Sequence, residues 1–495
     1  MHLVLRCCTK QPRPAFVDRK SFRIIDTAPC FVTTGYRINS WKRLWTSSIT
    51  ATVAKSTVSG GGRTVMEEDA EIDAKSSSKF PLPQVFLQFL QQNGIDPAVY
   101  DDAHNLPRYI RLKPQAGVEE IEEIEKDLGV NLSALSWLPG FYSIPPEVQI
   151  AGSKSYQEGK IYGMDAASGA AVAALEISPG DHVLDLCAAP GAKLCMLADL
   201  LKDSGSLTAT DISAHRLAAS RTMLIKYDLG NRCRLFLADG TTFSLLPLRG
   251  GVDGNATKVE EEKPALDNPD EITKRRYDPT GTLYVDSTVY GEWKGTKTAK
   301  EKKAAKRLKY MEDALDRVGG RESELIFYGK ASGIVGMKVA DVFRSHSLLE
   351  DEVSHNGYDK VLVDAECTHD GSLKHISKYE QWGWDTFERR FFNAGRMSSI
   401  TSLQLQLLRN GFSLLRPGGK IVYSTCSLTK AQNEDVVQKF LDLEPSAELR
   451  VIKGSENWPC KNGGLPHTLR FNPSSSKTSG LFIAQIHKHD RLRFE

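Results

Sequence analysis

The stretch His182-Val-Leu-Asp-Leu-Cys-Ala-Ala-Pro-Gly-Ala-Lys193 decides the fold. An apolar run, His182–Leu186, ends in a tight turn of small residues and opens onto a helix-forming segment. A short apolar run bounded by turn residues fits a buried parallel strand. Two further runs end in the same way. Lys420–Tyr423 leads into Thr425-Cys426-Ser427, and Val361-Leu-Val-Asp364 leads into Ala-Glu-Cys367. In open α/β sheets, ligands and chemistry collect outside the carboxyl ends of the strands. The three stretches therefore predict a cofactor loop and two thiols converging on one crevice, the layout of a nucleophilic enzyme.

Working outward, strand-like and helix-like segments alternate in the βαβ manner: strand 182–187, helix 191–202, strand 206–211, helix 213–228 and strand 232–238. The alternation breaks near Leu246 and resumes at Val335. Strand 359–365, helix 398–416, strand 420–425, helix 431–441 and a closing strand 481–487 complete it. Residues 250–320 are rich in Gly, Lys, Glu and Asp, and Lys294–Lys309 is dense in lysine, the composition of a disordered insert. Upstream, Gln84–Gln92 has helical periodicity, Arg108-Tyr-Ile-Arg-Leu112 alternates like a strand, Val118–Leu128 is an acidic amphipathic helix, and Trp137–Ile144 is a second strand. The expected fold is a Rossmann-like α/β sheet with a smaller α/β N-terminal domain. Its parts are a basic extension over 1–79, a small α/β domain over 80–150 that either presents a surface to RNA or caps the next domain, and a catalytic domain over 151–488 interrupted at 250–320.

The composition of the 495 residues is that of an ordinary globular protein, 40% hydrophobic and 25% charged, with a formal net charge of +2. Any basic surface is therefore local. No run approaches the roughly 18 apolar residues of a membrane span, so no membrane partner is expected. Nine cysteines without CxxC pairs are no disulfide framework and point to a reducing compartment. Asp18 and Asp26 are the only acids in residues 1–65, against recurring Arg and Lys with many Ser and Thr, the composition of a mitochondrial or plastid transit peptide. A basic tail of a nuclear or cytoplasmic protein is the alternative.

In the loop itself, Cys187, Ala188, Ala189, Pro190, Gly191 and Ala192 leave room for a ligand against the backbone, and the helix start offers free N–H groups. The spacing is not GxGxxG, and no phosphate-binding GK[ST] follows. Asp211, twenty positions past Gly191, is placed to bind ribose hydroxyls, and Asp239 to reach an adenine edge. Arg216, in the segment after Asp211, is counted with the cofactor-binding residues. An adenosine cofactor without phosphates fits, which is S-adenosylmethionine. His369 and His375 follow Cys367 without zinc-type spacing, so no metal is expected. Cys195 reads as packing.

Together these segments resemble the Nol/Nop/Sun (RsmB-type) family of RNA cytosine-5 methyltransferases, over roughly residues 105–245 and 335–488. Leu184–Lys193 is similar to the family's cofactor motif and Asp359–Cys367 to its second motif. Gly418–Ser427, followed by Gln432-Asn-Glu434, is similar to the motif carrying the nucleophile, and Gly159–Ser168 to its upstream segment. The chain departs from the pattern at Glu366 (usually Pro), Ala192 (usually Gly), Leu194 (usually Thr) and Met164 (commonly Gln). Glu366 is expected to raise the pKa of the neighbouring Cys367 thiol.

The resemblance implies a reaction. Cytosine C5 is a poor nucleophile until a thiolate adds to C6. Cys426 would be that nucleophile. Asp364 would hydrogen-bond the ring and lie near the cofactor, Lys193 would lend positive charge, and Cys367 would assist proton removal and release. The implied partner is RNA, transfer RNA ahead of ribosomal RNA, with no obligate protein partner evident. A non-catalytic RNA-binding or assembly factor on the same fold is the alternative. A DNA cytosine methyltransferase fits less well, since Pro is missing before Cys367 and a second thiol stands at Cys426.

Overall fold

The central sheet is built on strands whose alternate side chains face two separate cores. The structure, a computed structural model, describes residues 82–101, 105–114, 116–248, 323–343, 350–385, 387 and 394–489, all within the unit Asp73–Glu495. The whole basic extension and the whole 250–320 insert lie outside the described residues.

In chain order the elements begin with α1 (Gln84–Gln92), β1 (Arg108–Leu112), α2 (Val118–Leu128), β2 (Ser133–Ala134), β3 (Phe141–Ile144), α3 (Lys154–Gln157), β4 (Ile161–Gly163) and α4 (Ala166–Ala173). The first half of the large sheet follows with β5 (His182–Asp185), α5 (Ala192–Leu201), β6 (Ser206–Asp211), α6 (Ala214–Lys226), β7 (Cys233–Leu237) and β8 (Glu324–Tyr328). Then come α7 (Val339–Val342), α8 (Glu350–Asn356), β9 (Tyr358–Asp364), α9 (Leu373–Trp382), α10 (Ala394–Ser413), β10 (Leu415–Thr425) and α11 (Glu434–Leu443). The chain closes with β11 (Ala447–Leu449), β12 (Lys461–Asn462), β13 (Leu469–Phe471), α12 (Pro473–Ser476) and β14 (Leu481–Lys488).

The large sheet has the order β12-β13-β14-β10-β9-β5-β6-β7-β8, with β11 on β14. Strands β10, β9, β5, β6 and β7 are mutually parallel, while β8 and β14 run antiparallel to their neighbours. The chain winds from β5 outward through β6 and β7, then returns to β9 and winds the other way. The switch point lies between β5 and β9, where a doubly wound, Rossmann-like sheet opens its ligand crevice.

Successive strand residues point to opposite faces. Val183, Leu362 and Val422 join α4, α5 and α6 in one core. Leu184, Val361, Val363, Ile421 and Tyr423 join α10 and α11 in the other. Burial on both faces explains why these strands read as unbroken apolar runs.

Three differences from the sequence reading concern elements outside this sheet centre. The pattern resumes before Val335, at β8, whose short run Glu324-Leu-Ile-Phe-Tyr328 pairs antiparallel with β7. Its edge position and exposed Glu324 give it no continuous apolar signature. The second upstream strand is shorter than Trp137–Ile144, because Trp137–Gly140 forms a turn before β3. Finally, the small sheet, β2-β3-β1-β4, takes its last strand from Ile161–Gly163, beyond the expected boundary at 150. The buried apolar side chains described in residues 82–106 cluster elsewhere. Phe86, Phe89, Leu90, Val99, Tyr100 and Leu106 form a separate core with Leu373, Ile376, Tyr379 and Phe387.

Candidate active site

The crevice is assembled by strand register. Asp185 on β5 pairs with Leu362 on β9, and Asp364 pairs with Ser424 on β10. Each strand then turns out of the sheet within three residues. The loop Leu186–Gly191, Cys367 and Cys426 therefore emerge side by side at the carboxyl edge, over the switch point.

The loop is held from below. Ala188 N–H donates to the Thr210 carbonyl at 2.9 Å, and Ala189 N–H to Asp211 Oδ2 at 3.2 Å. Gly191 has φ +116°, and a Cβ there would sit 2.8 Å from Ser220 Cα, so glycine is required by both conformation and space. Ala192 opens α5 at the position where the family usually has Gly.

Lys193, in the first turn of α5, reaches across to β9. Its Nζ donates to Asp364 Oδ2 at 2.8 Å and to Ser168 Oγ at 3.2 Å. Ser424 Oγ donates to the other Asp364 oxygen at 2.7 Å. Burial opposes the Lys193 charge, but Asp364 outweighs it and the pKa rises. Lys193 and Asp364 thus form a fixed, partly buried ion pair between the loop and the thiols.

Asp211 Oδ1 accepts the Ser213 N–H at 2.9 Å, and its Oδ2 lies 3.6 Å from Arg216 Nη1. Arg216 Nη2 also donates to the Ala189 carbonyl at 2.6 Å, so this arginine braces the loop. Asp239 accepts from Thr241 N–H at 2.8 Å. Both acids stand at strand ends on the same edge as the loop. Cys187 is a packing residue. Burial first, then the nearby Asp185, pushes its thiol pKa well up.

The two remaining thiols touch. Cys367 Sγ and Cys426 Sγ are 3.2 Å apart. Burial opposes a thiolate at Cys367, but the hydrogen bond from Cys426 and the charge of His369 outweigh it and hold its pKa well below the thiol range. The same hydrogen bond, then burial, raises Cys426. The two shifts run in opposite directions, the pattern of two touching sulfurs that hold one proton between them. Glu366 does not set this balance. It is exposed, while Cys367 is 2% exposed. The net shift at Cys367 is downward, not the rise expected beside Glu366, and its largest causes are the side chains packed on it.

A polar network braces both thiol loops, and Gln432 is its hub. Gln432 Oε1 accepts the Thr368 N–H at 3.0 Å. Its Nε2 lies 2.8 to 3.0 Å from the hydroxyls of Thr368, Ser427 and Thr429. Asp370 accepts from the Thr368 hydroxyl and, at 2.7 Å, from Leu428 N–H. Gly371 donates to the Cys426 carbonyl at 2.9 Å, and a Cβ there would come within 2.6 Å of that oxygen. Asn433 holds Thr425 and the Ser427 carbonyl, and Glu434 is held by Arg470. Among these, Gln432-Asn433-Glu434 was visible as a motif. Ser168 and Ser424 lie in quoted segments but had no role read for them, and Asp370 and Arg470 carried no signal, because each acts through partners distant in the chain.

His369 is the further group at the thiols, with Nδ1 2.9 Å from Cys426 Sγ. Its Nδ1 and the two sulfurs lie within 4.8 Å of one another, and among the described residues no fourth His, Cys or carboxylate joins them. A closed zinc site needs four such donors.

Comparison with known proteins follows this geometry. A mouse protein named mitochondrial tRNA (cytosine(34)-C(5))-methyltransferase is 39% identical over 132 residues, covering 26% of this chain and 33% of its own. The rRNA (cytosine-C(5))-methyltransferase NOP2C of Arabidopsis thaliana is 24% identical over 366 residues, covering 66% of this chain and 53% of its own. The chain thus spans about half, or less, of the length of these curated relatives. Among solved structures, PH0851 superposes with a TM-score of 0.52 at 20% identity, over 84% of this chain and 70% of that one. NSun6 from Pyrococcus horikoshii, solved with SFG, gives 0.50 at 15% identity, over 82% and 98%. These likenesses establish the fold. The profile of the family described as 16S rRNA methyltransferase RsmB/F matches residues 172–253 and 294–487, more than half of the sequence, and the chain belongs to that family.

Proposed function

We propose that this chain is an S-adenosylmethionine-dependent RNA cytosine-5 methyltransferase that works through a cysteine adduct, with Cys426 as nucleophile. The observation that carries the reading is the pair of touching thiols at the ends of β9 and β10, beside Asp364, Lys193 and the small-residue loop. A binding module has no need of a shared thiolate.

The residues fit the cofactor. Asp185 Oδ2 is buried and, among the described residues, has no hydrogen-bond partner, while burial raises that carboxyl to a pKa of about 7. A cationic ligand group beside the loop would give the orphaned oxygen its partner. Ala188, Ala189, Gly191 and Ala192 leave the backbone open to approach, Asp211 would hold ribose hydroxyls, and Asp239 an adenine edge. When bound, the cofactor supplies an electrophilic methyl group on a sulfonium.

The chain's own residues do the rest. The Cys426 thiolate forms a bond to C6 of cytosine, and the displaced π pair passes into the ring, leaving C5 able to take the methyl group. Asp364, fixed by Lys193 and Ser424, hydrogen-bonds the ring. Cys367 takes the C5 proton. The S–C6 bond then breaks with its electron pair returning to Cys426. Because C5 and C6 are attacked from above the ring, the target base must leave its stack.

Transfer RNA is the favoured substrate, supported by the identity to the mouse tRNA enzyme. The small sheet around β1–β4 would contact that RNA. The acid-poor residues 1–65 support delivery to a mitochondrion or plastid, and no helix among the described residues is long and apolar enough to cross a membrane.

The test uses full-length protein, methyl-labelled S-adenosylmethionine, and transfer and ribosomal RNA in parallel. Methyl transfer to cytosine is expected. Cys426→Ala should abolish transfer and form no adduct, while Cys367→Ala should stall as a covalent RNA complex on a denaturing gel. Adducts from Cys426→Ala but not from Cys367→Ala would reverse the roles. No transfer to any RNA by the wild type would leave the non-catalytic reading.

A further inference from the structure

His369 stands where the reaction above makes no use of it. It lies two residues past Cys367, in a left-handed conformation with φ +55°, which is uncommon for a non-glycine residue. That conformation turns the ring back over the thiols. Nδ1 comes to 2.9 Å from Cys426 Sγ and 3.7 Å from Cys367 Sγ, and the His369 backbone N–H points at Cys367 Sγ from 3.4 Å.

We propose that His369 is a catalytic residue whose imidazolium is the counter-ion of the single thiolate shared by Cys367 and Cys426. The proposal rests on the reading of Cys426 as nucleophile and extends it. Activation is then one proton transfer. The proton on Cys426 Sγ passes to the Cys367 thiolate, and the negative charge moves to Cys426; once Cys426 has bonded C6, Cys367 releases that proton to solvent and is again the thiolate that takes the C5 proton. His369 keeps both ring protons throughout. Nδ1 is nearer to Cys426 than to Cys367, so the imidazolium favours the charge on the attacking sulfur.

The surroundings support an imidazolium. The charged and titratable groups facing the cluster are Cys367 and Cys426, Asp364 and Glu366, Asp370, Lys193 from α5, and His375 from α9, whose ring centroid lies 5.2 Å away. The Cys367 thiolate, helped by Asp364 and Glu366, raises His369 to a pKa of about 9 against the effect of burial. Without an adjacent cation, burial would push both thiols up and leave no thiolate at neutral pH.

The test reads the thiol itself, separately from methylation. Iodoacetamide alkylation of Cys367 and Cys426 is followed by mass spectrometry of their peptides, as a function of pH, in full-length wild type, His369→Gly and His369→Asn. Glycine and asparagine both accept the left-handed backbone, so neither variant strains the loop. Because the charge is shared, wild-type alkylation read on the Cys367 and Cys426 peptides together should begin well below the ordinary thiol midpoint of about 8.5. Both variants should shift toward or above that value and lose about tenfold or more in rate at pH 7. Added imidazole should restore reactivity, and methyl transfer with it, in His369→Gly. Unchanged alkylation and methylation in both variants would overturn the proposal. A shifted profile in a protein whose wild type methylates no RNA would support the ion pair and overturn the enzyme it is said to serve.

Discussion

Truncating Gln432 should destabilise the fold by about 2–4 kcal/mol. The side chain is fully buried. In Gln432→Ala the Thr368 N–H loses its acceptor at 3.0 Å and is left buried and unpaired, which costs about 1–3 kcal/mol. The three hydroxyls lose less. Ser427 Oγ and Thr429 Oγ1 already lie 2.9 Å apart, and the Thr368 hydroxyl bonds Asp370, so they re-pair among themselves. A residual cavity of about 50 Å³ adds roughly 1 kcal/mol at 24 cal/mol per Å³. The assay is equilibrium unfolding in urea, read by tryptophan fluorescence and circular dichroism together. Gln432→Met, close in volume, isolates the hydrogen-bond part and should cost about 1–3 kcal/mol. A loss below about 0.5 kcal/mol for Gln432→Ala, the scale of an indifferent surface change, would refute the reasoning.

Other outcomes follow from the same structure. Phe86→Ala, which removes a fully buried ring packed edge-on against Tyr100 and Phe387, should cost about 3–5 kcal/mol in the same unfolding assay. Asp211→Ala should weaken S-adenosylmethionine binding by about 1.5–3 kcal/mol in calorimetry, the range for charged hydrogen bonds, and unchanged affinity would count against the ribose assignment. Asp185 ionises near pH 3.8 when unfolded but at about 7 when folded, because burial disfavours its charge. Between those values the folded state holds the extra proton, so the cofactor-free protein should lose stability as pH rises from 3.8 to about 7. Asp185→Asn should flatten that slope. Glu434 has the opposite sign. Arg470 lowers its pKa against burial, so its stabilising share should disappear as pH falls through the depressed folded value, and Glu434→Gln should remove that acid limb.

What was legible in the sequence was what local pattern encodes. Strands β5, β6, β7, β9 and β10 are buried on both faces, so each reads as an apolar run with a turn behind it. Cys187–Lys193, Asp364, Cys367 and Cys426 are strand-end residues, and the topology alone places them on one edge. Legibility fails where partners are remote in the chain. Residues 82–106 were assigned to the small sheet because they precede it, yet their apolar face is complementary to Leu373, Ile376 and Tyr379. Edge strand β8 and the short β11, β12 and β13 lack a two-sided core and leave no run to find. Glu366 misled for a related reason. Adjacency in sequence drew attention to the exposed Glu366, whereas the group packed on both sulfurs is His369.

The thiol pair also sets an order of events during synthesis. Tyr100 donates its hydroxyl to the Asp370 carbonyl at 2.8 Å across 270 residues, and Asp370 in turn holds Leu428. Three stretches separated by most of the chain must therefore meet before the two sulfurs are brought together with His369. Such distant closures come late on a folding route. A nascent chain still on the ribosome carries two ordinary thiols, with no shared proton and no fixed counter-ion. The contact between the two sulfurs and His369 is complete only when the segments carrying Tyr100, Asp370 and Leu428 have met, so the thiol pair arrives with the finished fold instead of ahead of it.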